Sequence, residues 1–351
     1  MPTSLFIEKM NSTNATPLHN HQRHLDPAPL GINAEYGWKF KGGQGEGAVK
    51  FIDIEQGWIL NHTSLAVNTF PTTGVICNGS REHGAAVLGV VMMNDEQNRG
   101  IGITPKAKGH VISAWQHKGE MDVPDAILTS LNYLAYGDIL LLTIQRYQTL
   151  ENRRALPIEF HGGVFEAIRM ATDAGITVIE AAGNGDIYSQ RGIDLDDFES
   201  DGLQIFNRSA KNFMDSGAIM VGAATASVPH LRMRYSNYGN RLDCYAWGER
   251  VVTAGYYPNS SGSLLDTVTQ KFCGTSSAAA IVCGAAIAVQ SICEENLGFR
   301  LSPGELRNIL SNELYGTSSA NGKTIDKIGA MPDLKKIVDI GLKQVISSRT
   351  C

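Results

Sequence analysis

The chain has 351 residues, 43% of them hydrophobic and 19% charged, enough apolar material for one large core or two modest ones, which excludes a disordered chain. Its formal net charge of −5, from 30 basic and 35 acidic residues, lacks the basic excess that a phosphate backbone attracts, so nucleic acid is not expected as a partner. The opening MPTSLFIEKM has no basic segment before an apolar run, so no signal peptide is read. The longest apolar stretch, Ala278 to Val289, falls short of the roughly 18 residues that suggest a membrane span. The six cysteines form no CxxC pair and suggest neither a zinc knuckle nor a dense disulfide framework; the compartment stays open.

Residues 1–29 carry Pro17, Pro27 and Pro29 with no helical or strand period and are expected as an extended arm, followed by one domain over 30–351. His19, His21 and His24 lie in that arm with no carboxylate or cysteine spaced to complete a metal site, so a solvated tail is expected. Apolar runs then predict strands at about 48–53, 75–77, 109–114, 138–145, 176–182 and 217–223, with helices over 83–93, 123–135 and 163–174. That alternation is the pattern of an α/β domain, three-layered, with a mostly parallel central sheet flanked by helices. The segment Ser276–Cys293 is apolar on nearly every face, which predicts a helix running through the core. Ser302-Pro303 opens an amphipathic helix, and Pro332, Leu334 and Ile337 begin a last short one.

In open α/β sheets, catalytic groups gather at the carboxyl ends of parallel strands. One strand delivers Asp53, and another, ending Ala181-Ala182, delivers Gly183-Asn184-Gly185. His83 starts a helix rich in small residues, and Gly274-Thr275-Ser276 places a serine on the first turn of the buried helix, where the helix N-terminus favours developing negative charge. Taken singly, each has a plainer reading: a turn former at Asp53, a satisfied core histidine at His83, a helix cap at Ser276.

Together, the strand-end Asp53, the His-Gly-x-x-Val-x-Gly box at His83, Ala-Ala-Gly-Asn at Asn184 and Gly-Thr-Ser-x-Ala-x-x-x-Val-x-Gly at Ser276 resemble the subtilase family, whose chain order is Asp, His, Asn, Ser. The stretches Gly102–Ala107, Ala218–Ala223 and Tyr235–Gly239 are also similar to it, so the resemblance covers about 30–340. It implies a subtilisin-like fold and a serine endopeptidase acting on a peptide or protein substrate. Asp53, His83 and Ser276 would form the triad, and Asn184 with the Ser276 N–H would hold the oxyanion. It also implies substrate contacts at Thr143, Ile144 and Gln145 and at Ala181, Ala182 and Gly183. No cofactor is required for this chemistry, and a monomer is assumed; a structural calcium is left open.

Several positions depart from the family. Its Asp-Ser/Thr-Gly is expected at Asp53-Ile54-Glu55, where the small residues are missing, and Glu55 reads as a surface carboxylate, with a hydrogen bond near the triad as its functional reading. Gln56, Trp58 and His62 in the same segment are expected to shape a loop. Ala280 replaces a common proline, Ala85 a common threonine, and Gln145 a glycine beside the cleft. The acidic run Asp194–Asp201 reads as a solvated loop, with a pocket for basic residues or a calcium site as the functional readings. The alternative to an enzyme is a catalytically silent subtilase-fold binding module. An α/β-hydrolase needs Ser before Asp before His, which this order excludes. A dinucleotide site at Gly43-Gln44-Gly45-Glu46-Gly47 is excluded because those glycines precede a strand.

Overall fold

The longer Val-, Ile- and Leu-rich runs become the central strands, as residues that fit a pleated, buried surface do, and short polar segments pair at the edges and in small side sheets. In chain order these are β1 (Lys50–Glu55), β2 (Thr72–Thr73), β3 (Lys108–Ser113), β4 (Ile139–Leu142), β5 (Gln145–Tyr147), β6 (Arg154–Pro157), β7 (Thr177–Ala181), β8 (Gly185–Asp186), β9 (Ile219–Ala224), β10 (Cys244–Trp247), β11 (Val251–Ala254), β12 (Val268–Phe272), β13 (Gly316–Ser318) and β14 (Ala330–Pro332). The helices that position the site or cover the sheet are α1 (Ala34–Gly37), α2 (Arg81–Met92), α3 (Val123–Ser130), α4 (Gly162–Asp173), α5 (Thr275–Leu297) and α6 (Pro303–Ser311). This computed structural model describes residues 21–65, 72–94, 100–115, 120–149, 151–255, 265–321 and 327–350.

Among the described residues, nine strands form one sheet in the order β13-β14-β10-β9-β7-β4-β1-β3-β2. Every neighbouring pair is parallel except β13 with β14. The expected mostly parallel sheet flanked by helices is therefore the observed architecture. Among the expected elements that differ, 75–77 is not a strand, the helix expected over 123–135 ends at Ser130, and the strand expected at 48–53 lies two residues later, so β1 ends on Glu55 instead of Asp53.

Side chains alternate across each strand with a period of two, and β1 divides accordingly. Ile52 and Ile54 join the apolar cluster beneath α3 and α4, while Phe51 joins the larger cluster formed with α2 and α5. Asp53 and Glu55 share the face of Phe51, so both carboxyl groups are directed into the layer that carries α2 and α5. That layer has α5 at its centre. Its 23 residues are long and apolar enough to cross a membrane by length and composition, yet its most apolar window is 100% buried within the domain.

The first 20 residues, including His19, lie outside the described part of the chain. From Gln22 onward the expected arm is built into the domain: Leu25 is buried, and the Gln22 side chain exchanges two 2.8 Å hydrogen bonds with the backbone of Ile101. His24 is buried with neither ring nitrogen hydrogen bonded, and burial pulls its pKa down to about 3. It is a neutral ring packed edge-on to Trp247, not part of a solvated tail.

Candidate active site

The carboxyl ends of β1 and β4 meet the first turns of α2 and α5 around a cavity of about 670 Å3, lined among others by Glu55, His83, Thr143, Asn184 and Ser276. Asp53 is not among its lining residues. This is the crevice at the carboxyl edge of a parallel sheet where such folds place their chemistry.

The carboxylate that meets the histidine is Glu55. Its Oε1 lies 2.8 Å from His83 Nδ1 and also accepts the Thr143 hydroxyl, and its Oε2 accepts the Gln56 N–H at 3.3 Å. Glu55 is buried, so the expectation of a surface carboxylate is corrected: β1 runs two residues further than the apolar run suggested, and Glu55 sits at its inner end. Asp53 is corrected in turn. It is fully buried one strand period earlier, where its Oδ2 accepts the Trp58 indole N–H at 2.7 Å and its Oδ1 has no partner.

A signal for this was present in the sequence. The family's Asp-Ser/Thr-Gly fits Glu55-Gln56-Gly57 better than Asp53-Ile54-Glu55, provided glutamate is allowed in the acid's place. Gly57 is needed there, since a Cβ on it would stand 2.6 Å from the Cys77 carbonyl oxygen. His62 is buried as well and holds the following loop, with its Nε2 at 2.8 Å from the Thr267 carbonyl.

The electrostatics follow from this geometry. Burial pushes the His83 pKa down, but the Glu55 charge and hydrogen bond outweigh it and leave the pKa above the ordinary value. Burial pushes Glu55 up, but the His83 charge, the His83 and Thr143 hydrogen bonds and the Gln56 N–H carry it below the usual carboxylate value. Asp53 goes the other way. Burial first, then the neighbouring Glu55 charge, raise it well above the carboxylate range, and the single indole donor does not offset them.

On the opposite wall, Gly274 adopts φ +101°, a conformation that side-chain-bearing residues rarely take, and turns the chain into α5. Ser276 follows on the first turn, 5% exposed, with its Oγ donating to the Thr143 carbonyl at 3.4 Å. Its backbone N–H is among the first four of the helix, which have no carbonyl partner within it. Asn184 is tied to the same turn: its Oδ1 accepts from the Thr275 N–H at 2.9 Å and from the Thr275 hydroxyl at 3.1 Å. With the carbonyl end so engaged, the Nδ2 end is the donor left for the cavity.

Of the expected substrate contacts, Thr143, Ile144 and Gln145 line the cavity, and Gln145 also accepts the Asn184 backbone N–H at 3.0 Å. Ala181, Ala182 and Gly183 do not. The two alanines are buried in the core, and the carbonyls of Ala182 and Gly183 accept from the Asn237 side chain and backbone at 2.6 and 3.2 Å. Gly183 serves the turn that delivers Asn184; it has φ +89°, and a Cβ on it would lie 2.5 Å from the Ala155 carbonyl. The acidic run 194–201 is also away from the cavity. Asp194, Asp197 and Glu199 line a separate one with Arg154 and Arg191, while Asp196 accepts the Asn240 N–H at 2.8 Å.

A nine-stranded parallel-rich sheet, with a histidine helix and a serine helix meeting at its carboxyl edge, is the architecture of a subtilisin-like protease. A model of the subtilase family matches residues 61–330, and the chain belongs to that family. The matched span begins after β1, so the strand carrying Glu55 precedes it. The major intracellular serine protease of Bacillus subtilis (strain 168) is 24% identical over 245 residues, which cover 68% of this chain and 66% of that protein, just under two-thirds of its length. Two solved structures share the fold. The prenylagaramide maturation protease PagA has a TM-score of 0.60 at 17% identity, over 87% of this chain and 97% of its own. The self-cleaved protease domain of PatA has a TM-score of 0.57 at 15% identity, over 83% and 96%.

Proposed function

We propose that the protein is a serine endopeptidase whose triad is Glu55, His83 and Ser276, with Asn184 and the Ser276 N–H as oxyanion donors. The observation that carries this reading is the 2.8 Å contact between His83 Nδ1 and the buried Glu55 carboxylate, at the edge of the cavity that Ser276 lines. A serine hydroxyl is a weak nucleophile until a base accepts its proton. Glu55 takes the Nδ1–H and so holds the tautomer in which Nε2 carries the lone pair. His83 Nε2 then removes the Ser276 proton as Oγ attacks the scissile carbonyl carbon. The Asn184 Nδ2 and the Ser276 N–H stabilise the charge that grows on the carbonyl oxygen. The imidazolium gives its proton to the leaving amine, and the acyl-serine is released by water through the same steps in reverse.

Substrates are peptides or proteins, and the chemistry needs no cofactor. The subtilase membership and the protease relatives support this reading. The test is labelling by a fluorophosphonate, which reacts with an activated serine only. Stoichiometric labelling of the wild-type protein, absent in Ser276→Ala and accompanied by peptide hydrolysis, is expected. A wild-type protein that neither labels nor cleaves a diverse peptide library would be a silent subtilase-fold binding module.

A further inference from the structure

Asp53 remains without a task in that mechanism, although burying a carboxyl group with one oxygen unpartnered is costly. We infer that Asp53 is a positioning residue: its carboxyl group anchors the Trp58 indole on which the first turn of α2 is seated, and so sets where His83 stands relative to Glu55.

The contacts form one chain. Trp58 is 1% exposed, and its indole N–H is held by Asp53 Oδ2 at 2.7 Å. Gly84, next to His83, lies directly on the ring: a Cβ there would come within 2.6 Å of Trp58 Cδ1 and 2.8 Å of Nε1. Arg81, at the start of α2, donates from Nε to the Trp58 carbonyl at 3.2 Å. Trp58 is therefore gripped at positions on both sides of His83. Further along the helix, α2 is fixed by another element, where the Thr253 hydroxyl donates to the Ala86 carbonyl at 2.6 Å. Between these two supports the His83 backbone is held where the imidazole lies 2.8 Å from Glu55.

The charge state fits the role. Asp53 and Glu55 share one face of β1, and the donors are unevenly divided: Glu55 has His83, Thr143 and the Gln56 N–H, whereas Asp53 has one indole. On α5 the neighbouring group is the Cys283 thiol, which burial keeps protonated, so it offers Asp53 no positive charge. A lone indole does not compensate a second buried negative charge, so Asp53 carries a proton and acts through its hydrogen bond. Burial and the Glu55 charge, which raise its pKa, agree with this.

The inference rests on the peptidase reading for its kinetic test but has an independent readout in the imidazole itself. Asp53→Ala and Trp58→Phe, each removing the anchor, are expected to lower kcat by about 10- to 100-fold with KM little changed, and the double variant is expected to be no worse than the poorer single one. Asp53→Asn retains a neutral acceptor for the indole and is expected to restore kcat to within about threefold of wild type, since a neutral hydrogen bond is replaced by a neutral hydrogen bond. The His83 pKa, followed by NMR through its ring protons, is expected to fall in Asp53→Ala as the ring leaves Glu55 and to stay at the wild-type value in Asp53→Asn. This titration reports whether or not the protein cleaves peptides, so failure of the peptidase reading is distinguishable. If Asp53→Ala does not fold, Trp58→Phe, which keeps an aromatic ring and deletes the donor, decides alone. The inference is overturned if Asp53→Asn lowers the His83 pKa, which would make Asp53 a charged partner of the imidazole, or if both anchor-removing variants leave His83 and kcat unchanged.

Discussion

Two groups of buried carboxylates lie on opposite faces of the same sheet, and they differ in the cation that answers them. On β1, Glu55 faces the layer of α2 and α5 and meets His83, whose side chain is 38% exposed at the cavity. On β7, strand alternation turns Glu180 to the other face, where Glu180, Glu159 and Asp243 surround Arg241, a guanidinium with no exposed surface. Arg241 pairs with both Glu159 oxygens, at 2.8 and 3.0 Å, and with Asp243 at 3.0 Å, and Asp243 is shared with Arg208 and Arg307. A guanidinium does not give up its proton in a protein. Arg241 can therefore fix structure but cannot pass a proton, whereas the imidazole of the β1 cluster titrates where it reaches the cavity. Chemistry is assigned to the cluster whose cation can be neutralised.

Breaking each cluster should separate activity from stability. The larger effect is expected at β1: Glu55→Gln leaves the fold intact but lowers kcat by about 10³–10⁴, because an amide no longer enforces the tautomer with the lone pair on Nε2. The pH profile should change with it. In the proposed mechanism catalysis needs neutral His83 and is lost as pH falls through its pKa, which Glu55 raises. Removing the Glu55 charge lowers that pKa, so the acid limb of kcat/KM should move to lower pH, as measured over a buffered series. An unchanged acid limb would mean that Glu55 is not the partner of the imidazole. At β7, Arg241→Leu is expected to cost about 3–5 kcal/mol of stability, since it leaves buried carboxylates unanswered. Chemical denaturation would read this loss. Below the transition, kcat/KM should stay at the wild-type value, and a kinetic defect without a stability defect would undo the contrast between the two clusters.

The same contrast shows what could be read from the chain. The histidine, serine and asparagine boxes were legible because each is a local pattern: small residues where α2 meets the Trp58 loop at Gly84, a positive-φ glycine before α5, and a turn glycine before Asn184. The apolar α5 was legible because it has no polar face. The carboxylate that meets His83 lies two residues, one strand period, beyond the expected one. That offset keeps the face correct and moves the position, so Asp53 and Glu55 were indistinguishable from alternation alone. What decides between them is non-local: the Thr143 hydroxyl and His83 reach Glu55 from β4 and α2, and the Trp58 indole occupies Asp53. Ala181 to Gly183 fall outside the cavity lining for a related reason. They adjoin Asn184 in sequence, but their backbone groups are taken by Asn237 and β9.

The central claim, that Glu55 and not Asp53 holds the imidazole, is tested most directly by the low-field proton NMR signal of the His83 Nδ1–H, which a charged 2.8 Å hydrogen bond to a carboxylate shifts far downfield. The signal is expected in the wild-type protein and in Asp53→Asn and is expected to vanish in Glu55→Gln; its loss in Asp53→Asn with retention in Glu55→Gln would contradict the account.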